Sequence, residues 1–354
     1  MQTEDNLTAV LYGIRDLRLE QRPIPEPKDD EVLLKIDVVG ICGSDTHFVQ
    51  DGHLGPLAVD KPMGLGHEAA GTVWKVGKSV TTLKKGDRVG IEPGIGCGKC
   101  QYCRKGRGNL CIHRSIGKKA HSGECLTRYF VCSSDCCFKL PDHVTIEEGA
   151  LLELLSVAIY VCKRGNVRFG SIVLIQGAGP VGLTTMLMCK AFGASQVIMT
   201  DPIQHRLDKA KEMGADFTVQ VHPKNSAEDI TKGILSTLGR YPTVTIDCVG
   251  IELTIAVAVK VTISGGVVVL VGLGGTPTVN IPIADIGLRE IDIRGSCHYS
   301  NEYSAALEMV ATGKVDVKPF ITHRYKLEDT LKAFNTVITL EGNPIKVLIY
   351  PNSQ

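Results

Sequence analysis

The stretch SIVLIQGAGPVGLTTMLMCKAFGA, residues 171–194, decides how the middle of this chain folds. Its first part, SIVLIQ, is a run of β-branched and aliphatic residues that predicts a buried strand. A glycine-rich turn follows, and PVGLTTMLMCKA then predicts an apolar helix that ends near Gly193. A strand that passes through such a turn directly into a helix is typical of a parallel α/β sheet.

The turn has the spacing G-x-G-x-x-G, formed by Gly177, Gly179 and Gly182. The spacing alone is a weak signal, but the strand before it and the helix after it are the context that dinucleotide binding requires. The first glycine permits the tight turn, the second lets the backbone approach a pyrophosphate, and the third lets the helix pack closely on the strand. The phosphates would meet the positive end of the helix. The sequence therefore predicts a dinucleotide site here, which includes Pro180 and Val181.

Asp201 lies nineteen residues after Gly182, at the end of the strand-like segment QVIMTD. A carboxylate there accepts hydrogen bonds from the adenosine ribose and repels a 2′-phosphate, so it favours NAD over NADP. Asp201 also precedes Pro202 at a helix start, where an aspartate can act as a cap. Arg206, one turn later, is a group that could meet a 2′-phosphate.

Two parts of the chain differ in their sequence pattern. From residue 158 to 296 strand-like and helix-like segments alternate, which predicts a parallel sheet with helices on both faces. From about residue 30 to 155, short β-type runs such as EVLLKIDVVGICG are broken by glycine and proline, and this part is predicted to be all-β. We therefore predict an outer domain made from residues 1–157 and 297–354, with an α/β domain inserted between them.

The composition is that of an ordinary globular protein, with 354 residues, 44% of them hydrophobic and 22% charged. The 39 basic and 38 acidic side chains nearly cancel, whereas a nucleic-acid-binding protein usually has a basic excess. The amino terminus has no basic segment followed by an apolar run, and stretches such as GGVVVLVGLGG are too short to cross a bilayer. We expect a cytoplasmic protein without nucleic-acid or membrane partners.

Four of the thirteen cysteines, Cys97, Cys100, Cys103 and Cys111, lie in GCGKCQYCRKGRGNLC, residues 96–111. In a reducing compartment, clustered thiols are more often metal ligands than disulfides. Four thiolates suit tetrahedral zinc and leave no open coordination position, so such a site stabilises a loop and activates no substrate. The alternatives are iron–sulfur ligation, a redox dithiol and, because the lobe is basic, a nucleic-acid-binding zinc ribbon.

A catalytic zinc needs three protein ligands and an open position. Cys42 in GICGSDTHF and the pair His67 and Glu68 in GLGHEAAG lie at glycine-flanked ends of strand-like segments. A lone cysteine is usually a core residue and a lone histidine a turn residue, and spacing alone does not join the two segments. The cysteines outside these motifs are expected to be small buried hydrophobes.

Together these motifs resemble the zinc-dependent medium-chain dehydrogenase/reductase superfamily. The resemblance runs along the whole chain, in the order GICGSD, GHEAAGTV, KKGDRV, the four-cysteine lobe, EEGALLELLSV, GAGPVG and VGLG. Within it, KLPDHVTIEEGALLE and VKPFITHRYKLEDTLKAF are similar to the sorbitol (L-iditol 2-) dehydrogenases and ketose reductases. The resemblance implies an α/β plus β fold, a GroES-like β-barrel catalytic domain with an inserted Rossmann domain, and assembly as a homotetramer or homodimer.

The resemblance also implies that Cys42, His67 and Glu68 hold a catalytic zinc, in addition to the structural zinc of the lobe. Glu153 corresponds to a second-sphere glutamate that faces the metal and the substrate.

Further residues are assigned by the same resemblance. Ser44 and His47 correspond to groups that move the alcohol proton to solvent. The remaining cofactor residues are Val271, Gly272, Leu273, Cys297 and His298, and the remaining substrate residues are Phe48, His298 and Tyr299.

The implied reaction is hydride transfer between NAD(H) and a polyol/ketose pair of the sorbitol/fructose or xylitol/xylulose type. The alternatives are the same chemistry on a vicinal diol or threonine, and a non-catalytic nucleotide-binding or zinc-ribbon interaction protein. The chain departs from the polyol group at Leu154, where proline is usual, at Phe48, where tyrosine is common, and at His298, where arginine is usual. Residues 112–122 also lack the expected pattern, so we expect an altered sugar-facing wall beside intact zinc and cofactor motifs.

Overall fold

A computed structural model of the chain describes residues 5–55, 57–94, 96–113, 124–274 and 278–352. The elements of the amino-terminal part are β1 (Asn6–Gly13), β2 (Asp16–Arg22), β3 (Glu31–Gly40), α1 (Gly43–Asp51), β4 (His53–Leu54), β5 (Leu57–Ala58), β6 (Met63–Gly64), β7 (Glu68–Val76), β8 (Arg88–Ile91), α2 (Gln101–Arg104), β9 (Tyr129–Ser133), β10 (Cys137–Lys139), α3 (Ile146–Ala150) and α4 (Leu152–Gly165). The elements that follow are β11 (Ile172–Gln176), α5 (Pro180–Ala191), β12 (Gln196–Asp201), α6 (Gln204–Glu212), β13 (Phe217–Gln220), α7 (Ala227–Leu238), β14 (Val244–Asp247), α8 (Glu252–Val261), β15 (Val267–Leu270), α9 (Ile283–Leu288), β16 (Asp292–Gly295), α10 (Tyr303–Ala311), β17 (Ile321–Lys326), α11 (Thr330–Thr339) and β18 (Lys346–Tyr350).

The chain divides into two compact units. The first unit combines Met1–Glu153 with Tyr303–Gln354, and the second is Leu154–Glu302. The division falls near the start of α4 and directly before α10. The domain limits predicted from the sequence, after residues 157 and 296, stay predictions.

The second unit is built on a parallel sheet whose described strands follow the order β13-β12-β11-β14-β15-β16. Strand β11, the first of these strands in chain order, therefore lies in the middle of the sheet, as in doubly wound dinucleotide-binding folds. Leu174 of β11 packs in one core with residues of α7 and α8, while Ile175 faces the other side and is equally buried. Burial on both faces explains why these strands are continuous apolar runs, and the predicted parallel sheet is confirmed.

The glycine-rich turn joins β11 to α5. Gly177 has a φ of +93°, in the left-handed region that favours glycine. A Cβ atom at Gly182 would lie 1.8 Å from the carbonyl oxygen of Gly177, so a larger residue would push α5 away from the strand. The helix predicted after the turn is confirmed, and it ends at Ala191, two residues before Gly193.

The first unit is built on a mixed sheet with the order β10-β8-β7-β3-β18-β17, and β9 also pairs with β3. Strand β3 is antiparallel to both β7 and β18, so the end of β3 lies beside the beginnings of β7 and β18. The core under this sheet contains Leu34, Ile36, Val73, Val89 and Phe334, among others. The ends of β3, β7 and β18 thus bring three distant parts of the chain together at one end of the sheet.

The prediction of an all-β segment from residue 30 to 155 is wrong in one respect, because this segment also contains α1, α2 and α3. The sequence of α1, GSDTHFVQD, has little apolar periodicity to indicate a helix. Its start is instead fixed by a capping interaction between Cys42 and Asp45, and it stops at Gly52, whose φ is +72°.

The cysteines outside the metal motifs differ in burial. Five cysteines outside the metal motifs are buried, namely Cys125, Cys132, Cys136, Cys162 and Cys189. Cys137 and Cys248 are half-buried and Cys297 is exposed, so the expectation of buried thiols is wrong for Cys297. Among the residues that the structure describes, no helix has the length and apolar character needed to cross a bilayer.

Candidate active site

Three predicted zinc ligands converge where β3 ends and β7 begins. Cys42 directly precedes α1, and Glu68 is the first residue of β7, opposite Gly40 in the β3–β7 ladder. One donor atom from each of Cys42, His67 and Glu68 lies within 4.8 Å of the other two. A thiolate, an imidazole and a carboxylate placed together are donors that zinc accepts, and three of them leave a fourth position open. We call this group the open cluster.

Asp45 supports the open cluster from α1. Its buried carboxylate lies 3.4 Å from Nδ1 of His67 and accepts a hydrogen bond from the backbone N–H of Cys42 at 3.1 Å. Burial disfavours the charged imidazole, but the charges of Asp45 and Cys42 outweigh it and raise the pKa of His67 well above its ordinary value. Because Asp45 faces Nδ1, Nε2 is available to a metal. Sequence reasoning does not single out Asp45, and the signal for it is its capping position three residues after Cys42.

A buried lysine contacts the same cluster. Nζ of Lys346, the first residue of β18, donates hydrogen bonds to Oε1 and Oε2 of Glu68 at 2.9 and 2.6 Å. Burial disfavours the ammonium charge, but the negative charges of Glu68 and Cys42 outweigh it and raise the pKa of Lys346. Its segment, IKVLIY, predicts only a strand, so sequence reasoning misses this contact across 278 residues.

Two more predicted residues lie beside the open cluster. Oγ of Ser44 lies 3.5 Å from Nε2 of His67. His47 is one helical turn from Ser44 on α1, where its Nδ1 lies 3.0 Å from a carboxylate oxygen of Asp51. Ser44 therefore contacts a predicted metal ligand, whereas His47 contacts an aspartate at the end of the helix.

Three further residues that the sequence analysis singled out are buried. Glu153 lies in the first turn of α4 and is not one of the three residues of the open cluster. Its charge nevertheless contributes to the raised pKa of Lys346. Phe48 lies in the hydrophobic core of the first unit. Leu154, which follows Glu153, is 2% exposed. Most of the departure at residues 112–122 lies outside the described residues, which resume at residue 124.

The four cysteines of the lobe form a second, local cluster. The Sγ atoms of Cys97, Cys100, Cys103 and Cys111 all lie within 4.8 Å of one another, and Cys100 is 3.5 Å from Cys103 and 3.8 Å from Cys111. Four sulfurs bound at about 2.3 Å to a tetrahedral metal would lie about 3.8 Å apart, so these thiols fit zinc. Backbone hydrogen bonding lowers the pKa of the Cys100 thiol to about 6, which favours the thiolate form that binds metal. We call this group the closed cluster.

The predicted nucleotide residues lie at the carboxyl edge of the parallel sheet in the second unit. Asp201, at the end of β12, is 3% exposed and accepts hydrogen bonds from the backbone N–H groups of Ala178 at 2.7 Å and Ile203 at 2.8 Å. It therefore holds the glycine-rich turn, and the N-cap of α6 is Ile203 rather than Asp201. Nη1 of Arg206 lies 3.9 Å from the Asp201 carboxylate, and an apolar cleft beside it is lined by Pro202, Val221, Ile230, Ile251 and Leu253.

The other predicted cofactor and substrate residues are also in the second unit. Val271 and Gly272 follow β15, and both backbone N–H groups donate to the carbonyl oxygen of Asp247 at 2.9 Å. Leu273 is exposed, as is Cys297. His298 is half-buried with a φ of +47°, and Tyr299 is buried.

Comparison with known proteins places this chain in a family. Residues 28–142 match the alcohol dehydrogenase GroES-like domain, and residues 180–312 match the zinc-binding dehydrogenase domain. Sorbitol dehydrogenase of Mus musculus is 47% identical over 350 residues, which are 99% of this chain and 98% of that protein. The chain belongs to the zinc-dependent medium-chain dehydrogenase/reductase superfamily. Within this superfamily the chain is sorbitol dehydrogenase-like, as predicted.

Solved structures of two other dehydrogenases agree with the fold. L-idonate 5-dehydrogenase of Escherichia coli has a TM-score of 0.88 and 28% identity, covering 98% of this chain and 99% of that chain. 2R,3R-butanediol dehydrogenase of Bacillus subtilis has a TM-score of 0.87 and 28% identity, covering 98% and 100%. The predicted fold class, a GroES-like domain combined with a Rossmann domain, is therefore confirmed.

Proposed function

We propose that this protein is a zinc-dependent polyol dehydrogenase that transfers a hydride between NAD(H) and a polyol/ketose pair. The observation that carries the proposal is the open cluster of Cys42, His67 and Glu68, in a chain 47% identical to a sorbitol dehydrogenase. A non-catalytic nucleotide-binding or zinc-ribbon protein has no use for a three-donor cluster of this kind. Homo-oligomeric assembly and cytoplasmic location stay predictions.

The residues of the open cluster would act in distinct ways. Cys42, His67 and Glu68 would hold one zinc ion, which when bound polarises an alcohol or carbonyl oxygen. Glu153, buried near the cluster, is proposed to hydrogen-bond the substrate or a water. Ser44 is proposed to relay the alcohol proton, accepting it on Oγ as the hydroxyl gives up the proton that it carries.

His47 would pass this proton on to solvent. Its side chain is 38% exposed and lies one turn along α1 from Ser44, which supports that role.

The closed cluster would hold the second zinc. Cys97, Cys100, Cys103 and Cys111 offer four sulfurs at distances that suit a tetrahedral ion, with no position left for a substrate. We propose one structural and one catalytic zinc per chain. Metal analysis of purified protein should return about two zinc ions, since each cluster fits one.

The proposed cofactor preference is NAD, and Asp201 is the proposed cause. Its two oxygens accept backbone hydrogen bonds, but each keeps a second lone pair with which to accept a bond from a ribose hydroxyl. A 2′-phosphate would remove such a bond and bring roughly 1.5 to 2 negative charges to the carboxylate. We expect the wild type to favour NAD by about a hundredfold in kcat/KM, which corresponds to a few kcal/mol.

Replacing the carboxylate tests this preference. Asp201→Ala should weaken NAD and improve NADP, because Arg206 is then free to meet the phosphate. Steady-state kcat/KM with both cofactors decides the matter, and thermal melting controls for the two backbone hydrogen bonds that alanine also removes. A wild type that favours NADP, or an unchanged ratio in the variant, would leave Asp201 as a structural residue of the turn.

The substrate class is tested by following the absorbance of reduced nicotinamide. The purified protein should oxidise sorbitol and xylitol with NAD more efficiently than a vicinal diol or threonine, and Cys42→Ser protein should do neither. If the vicinal diol or threonine gives the higher kcat/KM, the reaction type stands and the polyol assignment falls. Without NAD-dependent oxidation of any alcohol by protein that contains two zinc ions, the enzymatic proposal itself fails.

A further inference from the structure

Lys346 is a buried residue of the first unit to which the proposed mechanism gives no role. Its side chain is 1% exposed, and the ammonium group makes three hydrogen bonds. Two go to the two carboxylate oxygens of Glu68, and the third goes to the carbonyl oxygen of Ile41 at 3.0 Å. An ammonium group has three donors, so all three are used, and the group is held in one orientation.

The sheet explains how the lysine reaches this carboxylate. Glu68 begins β7 and Lys346 begins β18, with β3 between them. The β3 residue opposite Glu68 is Gly40, where a Cβ atom would lie 2.2 Å from Oε2 of Glu68. Because Gly40 has no side chain, the carboxylate and the ammonium group can meet above the middle strand.

The charges around the cluster show why a cation is required there. Glu68 is 0% exposed, and Asp45 and Glu153 are also buried within the same part of the unit. Cys42 adds a thiolate when it binds a metal. A buried carboxylate without a partner would turn towards another donor, and it would then be a poorer metal ligand.

We propose that Lys346 is a positioning residue for the open cluster: its ammonium group holds the Glu68 carboxylate in one orientation, so that the carboxylate is ready to bind the metal. The proposal rests on the proposed function, since it assumes that the open cluster binds zinc. A carboxylate oxygen can accept a hydrogen bond from lysine and still donate a lone pair to a metal. Partners of this kind, which contact a ligand rather than the metal, typically change metal affinity by about 10- to 100-fold when they are removed.

The test measures metal affinity and not turnover. Cobalt(II) is titrated into metal-depleted protein, and its affinity at each cluster is determined by chelator competition and by the absorption bands of the bound ion. Cys42→Ser protein identifies the bands of the open cluster. In Lys346→Met protein, the dissociation constant of the open cluster should rise by about 10- to 100-fold while that of the closed cluster stays unchanged.

A matched control separates positioning from the loss of any lysine. Lys318 also lies in the first unit and pairs with a buried carboxylate, that of Glu148 at 3.0 Å. Lys318→Met should leave cobalt affinity at both clusters unchanged. Should Lys346→Met bind cobalt at the open cluster as tightly as the wild type and Lys318→Met do, the proposal is overturned.

Two further comparisons keep the test decisive if Lys346→Met folds poorly. Lys346→Gln keeps a neutral donor for Glu68, so it should fold and should still lose about three- to tenfold in cobalt affinity at the open cluster. An unchanged affinity would count against the proposal.

The second comparison uses a Glu68→Gln background. There Lys346→Met should have little further effect on cobalt affinity, because no carboxylate remains to be positioned. A further tenfold loss would show that Lys346 acts by another route. If the wild type binds only one metal ion per chain, the proposed function and this inference both fail. If the wild type binds two metal ions and is active, but the Lys346 variants keep its cobalt affinity, the inference alone fails.

Discussion

The closed cluster and the open cluster are both built to hold a metal, but the chain assembles them in opposite ways. The closed cluster takes its four sulfurs from fifteen consecutive residues, Cys97 to Cys111. The open cluster joins the end of β3 to the start of β7, and its Glu68 is held by Lys346 from β18, 278 residues further along the chain. A local loop can therefore form the first cluster, whereas the second requires the folded sheet.

The two clusters also differ in the donor atoms that they offer a metal. Four thiols of one kind complete a coordination shell, so that a bound ion has no position for a substrate. The open cluster offers a sulfur, a nitrogen and an oxygen donor, and its Glu68 is fully buried. The comparison indicates that one cluster stabilises the fold and that the other is suited to reactions. The first two of the following predictions each test one cluster, and the third supplies a reference outside both.

The largest effect is expected from removing a donor of the open cluster. Cys42→Ser should lower turnover by about a thousandfold, since a bound metal supplies several kcal/mol of transition-state stabilisation. Zinc analysis should fall from about two ions per chain to about one, and NAD binding measured by calorimetry should stay close to normal. Cys137→Ser, which alters a half-buried thiol of the same unit outside both clusters, is the matched control. An undiminished rate in metal-depleted Cys42→Ser protein would exclude zinc catalysis at this cluster.

A smaller effect, on stability, is expected from the closed cluster. Cys100→Ser should lower the free energy of unfolding by about 2 kcal/mol or more, because three thiolates bind zinc poorly and the loop loses its metal. The measurement is denaturant unfolding, with turnover recorded per folded molecule. The fraction that remains folded should keep its chemical step. Folded Cys100→Ser protein that binds NAD but does not turn over would mean that the two clusters have been assigned the wrong way round.

The smallest effect is expected from an ion pair of the first unit outside both clusters, that of Lys318 with Glu148, and it is the reference against which the two larger effects are judged. Burial opposes ionisation of Glu148, but its hydrogen bonds to Thr145 and Lys318 outweigh this and lower the pKa of Glu148 below the ordinary value of 4.5. A lowered pKa stabilises the folded state above the unfolded value, and that contribution is lost as the pH falls through the folded pKa. Lys318→Met should therefore cost less than about 1 kcal/mol at pH 7, since Lys318 is half exposed and water screens the pair.

This difference between Lys318→Met and wild type should shrink as the pH falls below about 4.5, where Glu148 becomes protonated in both proteins. Urea unfolding at a series of pH values measures it. A difference that stays constant across the series would show that Lys318 acts through packing and not through charge.

Much of the fold could be predicted from the sequence, and the errors have physical causes. The strands and helices of the second unit are confirmed because each is a buried apolar run or a helical pattern ended by glycine. The sequence does not predict helices α1 to α3, because they are short. The starts of α1 and α3 are fixed by capping contacts rather than by apolar periodicity. The roles of the individual site residues stay predictions, although the structure does bring Cys42, His67 and Glu68 together.

Residue type and spacing are enough to predict the local features: the four-cysteine lobe, the glycine turn and the strand–helix alternation around that turn. In each case the residues that act together are separated by a few positions, so that spacing and chemistry alone indicate the structure. The contact of Lys346 with Glu68 above Gly40, and that of Asp45 with His67, become visible only in the folded chain. Contacts of this kind depend on which strands lie side by side and in what register, and a single sequence without its fold carries no record of either.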